Sequence, residues 1–400
     1  MGNFAGGARL HAFDNLRAIM MWLGIVLHVC VNHLDGPSTL PWKDPQSTPF
    51  ADLLLIFIHA FRMPVFFILA GYLAAMMVET RGVGAMVRNR VRRIALPFAL
   101  FWPVVFALMG ALVLVYAHLM ARGTIGLDLH VAPKRPAGGS LLVTMHMWFI
   151  YYLFWFCMLG ALACTARAFL PAAVQRAWQR GWDALSSHWW GLVLLALPLA
   201  IVGAGYRAGM LTPTGSFIPN LRELVHSGVF FTFGWQLYRN RAALLPKIGA
   251  HYLSYLLAGL ATFAITLALF GVFLKAPGSI TRIEAWISFS YGMTSWLWSV
   301  GLLGLFLRHM DRQNTVLRYV SDSSYWVFLV HMLGTMGFGI LLFNAPIGAL
   351  AKMSINVLAT SAVCLATYHL FVRRTWIGVL LNGKRAPRAL AAAGTSAVSP

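Results

Sequence analysis

Of the 400 residues, 59% are hydrophobic and only 10% charged, and the mean hydropathy is +0.71, a balance that excludes an ordinary soluble domain. A formal charge of +20 would suit a nucleic-acid binder only if the basic residues shared one soluble face, and no soluble domain carries one. The sequence therefore predicts an all-α, polytopic transmembrane bundle with lipid, not nucleic acid, as its surroundings.

Ten stretches are long enough to cross ~30 Å of hydrocarbon at ~1.5 Å per residue. They cover about 16–34, 52–78, 94–121, 140–166, 189–205, 222–240, 253–274, 286–308, 325–343 and 350–372. The sixth is the least hydrophobic. With the N-terminus inside, more than twice as many Arg and Lys fall in inner segments as in outer loops, which predicts an N-in, C-in, multi-pass protein of the cell inner membrane. The first span lacks a small-residue cleavage site and is read as retained. Residues 1–374 form one membrane domain, and the Ala-, Ser- and Pro-rich 375–400 reads as a disordered cytoplasmic tail.

Span one carries "RAIMMWLGIVLHVC", with Arg17 at its inner mouth and His28 deep within. Eleven residues make three turns plus about 20°, so both project from one helix face, ~16 Å apart along the axis. An ionisable group at that depth is kept where it faces protein or a watery cavity. Span two contains "HAFRMPVFFILAGYL", where His59 and Arg62 share a face at i and i+3. Arg62 is the one arginine placed within hydrocarbon; it needs an ion-pair partner, an anionic substrate or a route to the surface.

"MVRNRVRRIALPF" places Arg88, Arg90, Arg92 and Arg93 before span three. The positive-inside bias accounts for such a cluster, and its guanidinium forks would also suit a phosphorylated ligand. "MHMWFIYYL" brings Trp148, Tyr151 and Tyr152 to the outer end of span four, as an interfacial aromatic belt would. "SDSSYWVFLVH" takes Tyr325 and His331 into span nine. A lone intramembrane histidine such as His331, His226 or His369 is ordinarily an interhelical hydrogen-bonder. Cys30, Cys157, Cys164 and Cys364 all fall in predicted spans without disulfide or zinc spacing, so they read as small buried apolar residues and no metal site is expected. Neither a nucleophile elbow, a phosphate loop nor a zinc-binding helix motif is present.

Together, "FDNLRAIMMWLGIVLH", "FRMPVFFILAGYL", "RNRVRRIALP", "MWFIYYL" and "SSYWVFLVH" resemble the motifs of the acyltransferase 3 family of integral membrane O-acyltransferases, and within it the glucans biosynthesis protein C branch. The resemblance runs from about residue 11 to 372. The family's arginine, ten residues, histidine is matched by Arg17 and His28, and its RxxR by Arg90 and Arg93. Where many members read SGY, this chain has Ala70-Gly71-Tyr72, and it shows no appended extracytoplasmic hydrolase-like domain.

The resemblance implies transfer of a short acyl group, acetyl or succinyl, from acyl-CoA to a hydroxyl of a cell-envelope glycan, with no tightly bound cofactor. His28 is the expected catalytic residue, as general base or as nucleophile. Arg17, Arg90 and Arg93 are the expected donor-binding residues. His59, Arg62, Trp148, Tyr325 and His331 are expected to bind the acceptor or support the site. A polytopic transporter or flippase for a glycan or lipid is the alternative, and a non-catalytic membrane partner a third reading; few intramembrane acids are available for proton coupling.

Overall fold

The computed structural model describes residues 11–36, 42–131, 142–188, 190–276, 278–312 and 314–383. Fourteen α-helices are present among them. In chain order they are α1 (His11–Cys30), α2 (Pro49–Arg81), α3 (Val83–Arg90), α4 (Leu96–Arg122), α5 (Trp148–Ala166), α6 (Ala172–Ser187) and α7 (Gly191–Gly203). There follow α8 (Leu221–Arg239), α9 (Arg241–Ala250), α10 (Tyr252–Lys275), α11 (Ile283–His309), α12 (Thr315–Leu342), α13 (Ala349–Thr367) and α14 (Trp376–Asn382). A π-helical turn, Val91–Ala95, joins α3 to α4.

Every one of the ten expected spans contains a helix. By length and apolarity, however, seven helices qualify as crossings, or eight if α6 and α7 form one bent span. The shortfall has a physical cause. α7 has 13 residues, too few for a full crossing. α8 and α11 are long, but they bury polar side chains against protein instead of showing apolar ones to lipid: Glu223, Ser227 and Gln236 on α8, and Ser288, Ser290, Thr294, Ser295 and Ser299 on α11. Several of these are satisfied across helices, as where Thr266 Oγ1 of α10 donates to Ser290 Oγ at 2.9 Å. The expected tail also begins later than residue 375, because α14 occupies Trp376–Asn382; residues 384–400 lie outside the described residues.

α1 and α12 run side by side in the same direction. Three rungs keep an offset of 303 or 304 residues: Arg17 Nη2 donates to Ser321 Oγ at 3.0 Å, the rings of His28 and His331 are 5.1 Å apart, and Asn32 Nδ2 donates to the Thr335 carbonyl at 3.4 Å. Two parallel membrane helices must have an odd number of crossings between them. That holds if α8 and α11 both cross or neither does, provided that α6 and α7 together make one bent crossing.

Gly71, in the Ala-Gly-Tyr stretch, is explained by packing. A side chain there would strike the Phe231 carbonyl of α8, and one at Gly234 of α8 would strike the Ile68 carbonyl of α2. The two glycines face each other's helix and let the backbones of α2 and α8 approach closely, as small residues do in membrane bundles. Tyr72 then stacks edge-on against Phe13 and Tyr238.

At the Arg17 end of the bundle lie the start of α12 and α14, where Asn382 Nδ2 donates to the Asp322 carbonyl. At the other end a buried ion pair ties the α1–α2 loop to α13: Lys352 Nζ lies 3.0 Å from Asp44 Oδ1, with both side chains 1% exposed. Lys352 also donates to the Phe343 carbonyl at 2.7 Å.

Candidate active site

Four ionisable side chains from four elements meet beside α1. His28 is partly buried on that helix. His331 of α12 stands next to it, and His146, from the turn leading into α5, stands next to His331 with ring centroids 5.3 Å apart. Arg62 of α2 is 7% exposed, and its guanidinium lies against Gly24, one turn before His28.

Backbone carbonyls fix two of the three imidazoles. His331 Nδ1 is 2.9 Å from both the Val327 and Phe328 carbonyls, so it must carry the proton, since two lone pairs would repel. His331 Nε2 is left buried without a partner. His146 Nε2 donates to the same Phe328 carbonyl at 3.2 Å, and its Nδ1 is likewise without a partner. Each ring therefore offers an unused lone pair within the cluster. Met145 takes a left-handed φ of 51° just before His146, a conformation that is strained for a side-chain-bearing residue and that turns the chain at the site.

Among the described residues Arg62 has no carboxylate partner, and its Nε has no hydrogen-bond partner. Neither the ion pair nor the snorkelling expected for an isolated membrane arginine applies. A buried cation left unpaired is costly, so its retention points to a ligand that brings negative charge.

The arginines before α4 divide by direction. Arg88 and Arg92 are exposed, Arg90 and Arg93 partly buried. Arg90 turns toward Cys157 of α5 and leaves its buried Nε without a partner. Arg93 Nη1 donates to the Leu381 carbonyl of α14 at 3.2 Å. Arg17, besides Ser321, lies 3.5 Å from Asp14 Oδ1, and its Nε too is buried without a partner. Tyr325, one turn after Ser321 on α12, donates its hydroxyl to the Arg93 carbonyl at 2.9 Å. It thus supports the arginine end; the carbonyl it holds belongs to the π-helical turn, a feature frequent at functional sites.

His59 and Trp148 line a cavity between α2, α7, α8 and α11, together with His226. His59 lies three residues before Arg62 on α2, on the same helix face. Tyr151 and Tyr152 do not form a lipid-facing belt: Tyr151 Oη donates to the Phe217 carbonyl at 2.5 Å, and Tyr152 Oη accepts from the Asn220 amide at 2.9 Å. Both pin the loop before α8.

The sequence reading passed over His146 and Gly24. His146 lies inside a stretch it quoted, but reads there as part of an aromatic helix start; Gly24 is one apolar-span glycine among many. The four cysteines are free. Among the described residues no group of three or more His, Cys, Asp or Glu could hold a metal ion.

The family described as an acyltransferase domain, acyltransferase 3, matches residues 10–370. "Glucans biosynthesis protein C" of Salmonella paratyphi B (strain ATCC BAA-1250 / SPB7) is 36% identical over 91 residues, 22% of this chain and 23% of that protein. The protein of the same name from Salmonella heidelberg (strain SL476) matches to the same extent. The similarity thus spans about a quarter of these relatives' length. No solved structure matches.

Proposed function

The chain belongs to the acyltransferase 3 family and is a membrane acyltransferase, and from that premise we propose that it moves a short acyl group, acetyl or succinyl, from acyl-CoA to a hydroxyl of a cell-envelope glycan. Membership sets aside the transporter and the non-catalytic partner. The glycan acceptor is supported by the name of the partial relatives. The observation that carries the site is the meeting of His28, His331 and His146 with an unpaired Arg62.

In this reading the His28 imidazole takes the proton of the acceptor hydroxyl as its oxygen attacks the thioester carbonyl. The carbonyl becomes a tetrahedral oxyanion, and the Arg62 guanidinium supplies its counter-charge. Collapse breaks the carbon–sulfur bond, and the protonated imidazole returns the proton to the leaving thiolate. His331, its tautomer fixed by two carbonyls, keeps an unpartnered Nε2 beside the His28 ring, and in this reading that lone pair accepts the His28 N–H and orients the ring during the reaction. Charges balance without a metal or a redox cofactor.

Donor phosphates belong at the Arg17 end, where Arg17 and Arg90 each keep an unpartnered Nε. By the positive-inside bias that end is cytoplasmic, in the cell inner membrane. The thioester would run along α1 toward His28, ~16 Å away by helical rise, while the acceptor enters past His59 from the other end. Incubating the purified protein with acyl-CoA and a glucan oligosaccharide tests the reading: thiol release and an ester of the acyl mass on the sugar are expected. Thiol release without ester, or neither, would overturn it.

A further inference from the structure

Backbone carbonyls hold the rings of His331 and His146, but among the described residues no hydrogen bond holds the ring of His28. Where that ring stands is therefore decided by how α1 docks on α12. Apolar packing carries no direction and resists small slides and turns of one helix on another only weakly. Hydrogen bonds are directional. Two of them join these helices on either side of the rings. Arg17 and Ser321 meet eleven residues before His28, whereas Asn32 and Thr335 meet four residues after His28 and His331. The second tie is the nearer, about 6 Å along the axis against about 16 Å.

Asn32 is built firmly into its place. It is 1% exposed, and both ends of its amide are used. The indole Nε1 of Trp42 donates to Asn32 Oδ1 at 3.1 Å, and because an indole N–H can only donate, that contact settles which way the amide faces. Nδ2 is thereby turned to the Thr335 carbonyl of α12, 3.4 Å away. The Asn32 carbonyl accepts from the Asp44 amide at 2.8 Å, so the loop that carries Trp42 grips the residue twice.

The acceptor is fixed too. The same Thr335 carbonyl accepts from Asn356 Nδ2 of α13 at 2.9 Å, and Thr360 Oγ1 donates to Asn356 Oδ1 at 3.0 Å. α12 leaves room for the contact at Gly339, where a Cβ would stand 3.0 Å from Asn32 Nδ2. A line of buried donors and acceptors thus runs from the α1–α2 loop through the end of α1 to α12 and α13.

We propose that Asn32 is a positioning residue: it sets the register of α1 on α12 one turn beyond the paired rings, and so holds His28 against His331. The proposal rests on the acyl-transfer reading for its effect on rate, but not for the register itself.

Two readouts keep these apart. In a protein whose four native cysteines are replaced by alanine, His28→Cys with His331→Cys lets a short bifunctional thiol reagent join α1 to α12, followed as the mass of the joined peptides. Adding Asn32→Leu should slow that joining about threefold or more. In the otherwise wild-type protein Asn32→Leu should lower kcat about tenfold, as a displaced catalytic group does, with donor KM nearly unchanged. In a His331→Ala protein the same substitution should cost little, because the contact that it protects is already gone. Should Asn32→Leu fail to elute as the wild type does, Gly339→Ala, which leaves the amide in place but crowds it, should move both readouts in the same direction. Unchanged joining in Gly339→Ala and in a well-folded Asn32→Leu protein would overturn the proposal, as would losses of Asn32→Leu and His331→Ala that multiply. Slower joining in a protein that transfers no acyl group would uphold the register and overturn the transfer reading; lower kcat with joining unchanged would overturn the register and leave the transfer reading standing.

Discussion

The guanidinium of Arg62 rests in the notch left by Gly24, one helical turn before His28, so closely that any side chain at position 24 would occupy the guanidinium's place. In the proposed reading this contact aims a buried cation, unpaired among the described residues, at the reacting centre, and gives a glycine in an apolar span the part of a positioning residue. Gly24→Ala should therefore lower kcat by about tenfold or more, equivalent to about 1.4 kcal/mol of transition-state stabilisation, with donor KM nearly unchanged. Arg62→Lys should lower it as well, because an ammonium on a flexible stem does not reproduce the fork. A Gly24→Ala protein with full kcat would remove Arg62 from the mechanism.

His28 and His331 act in this scheme as a unit. His28→Ala should abolish transfer, and His331→Ala should cost ~10²-fold or more through loss of orientation. The double variant should be little worse than His28→Ala alone, since groups that serve one step are not additive. Multiplicative losses would mean that the two rings serve separate steps.

Much of this was legible in the sequence because helical spacing is local. Arg17 with His28, and His59 with Arg62, share faces that residue counting alone predicts. What counting does not supply is the partner helix. The parallel docking of α12 on α1 brings His331 to His28 across 303 residues, and His146 joins from a turn that carries no helical period. The hydrogen bond of Tyr325 to the Arg93 carbonyl went unread for the same reason: its helix was known, but not the element that it faces. The expected spans and the helices that qualify by length and apolarity differ where helices bury polar faces against each other, because hydropathy records composition and not direction.

Lys352 illustrates this. It opens the tenth expected span as a lone charge, and what the sequence does not show is that it is buried on Asp44, 308 residues away. Removing one member of such a pair strands the other, at about 3–5 kcal/mol. Lys352→Ala and Asp44→Ala should each lower the midpoint of thermal unfolding in detergent by several degrees, and the double variant should recover part of the loss. Midpoints equal to wild type in both single variants would mean that the clasp contributes nothing.

Orientation rests on the basic residues and on the parity that α1 and α12 impose. A reporter active only outside the cytoplasm should work when inserted in the 122–139 loop, and should fail after Arg93 or when inserted beyond α14 within residues 384–400. The inverse pattern would move the arginine end, and with it the donor, to the opposite face.

The donor arginines differ in what already holds them. Arg90 leaves its buried Nε unpartnered, whereas Arg93 is engaged with the Leu381 carbonyl of α14. If phosphate groups bind here, Arg90→Lys should raise the KM for acyl-CoA severalfold, about 1 kcal/mol for a weakened charge-assisted contact, with orientation and protein level unchanged. Arg17→Lys should do the same, since its Nε is also free of partners. Arg93→Lys should act differently, loosening α14 and lowering stability along with donor affinity, because its fork bonds the protein itself. A purely topogenic cluster predicts none of these changes, since lysine serves orientation as well as arginine. Equal donor KM in wild type, Arg17→Lys and Arg90→Lys would therefore leave the arginines with orientation as their one role.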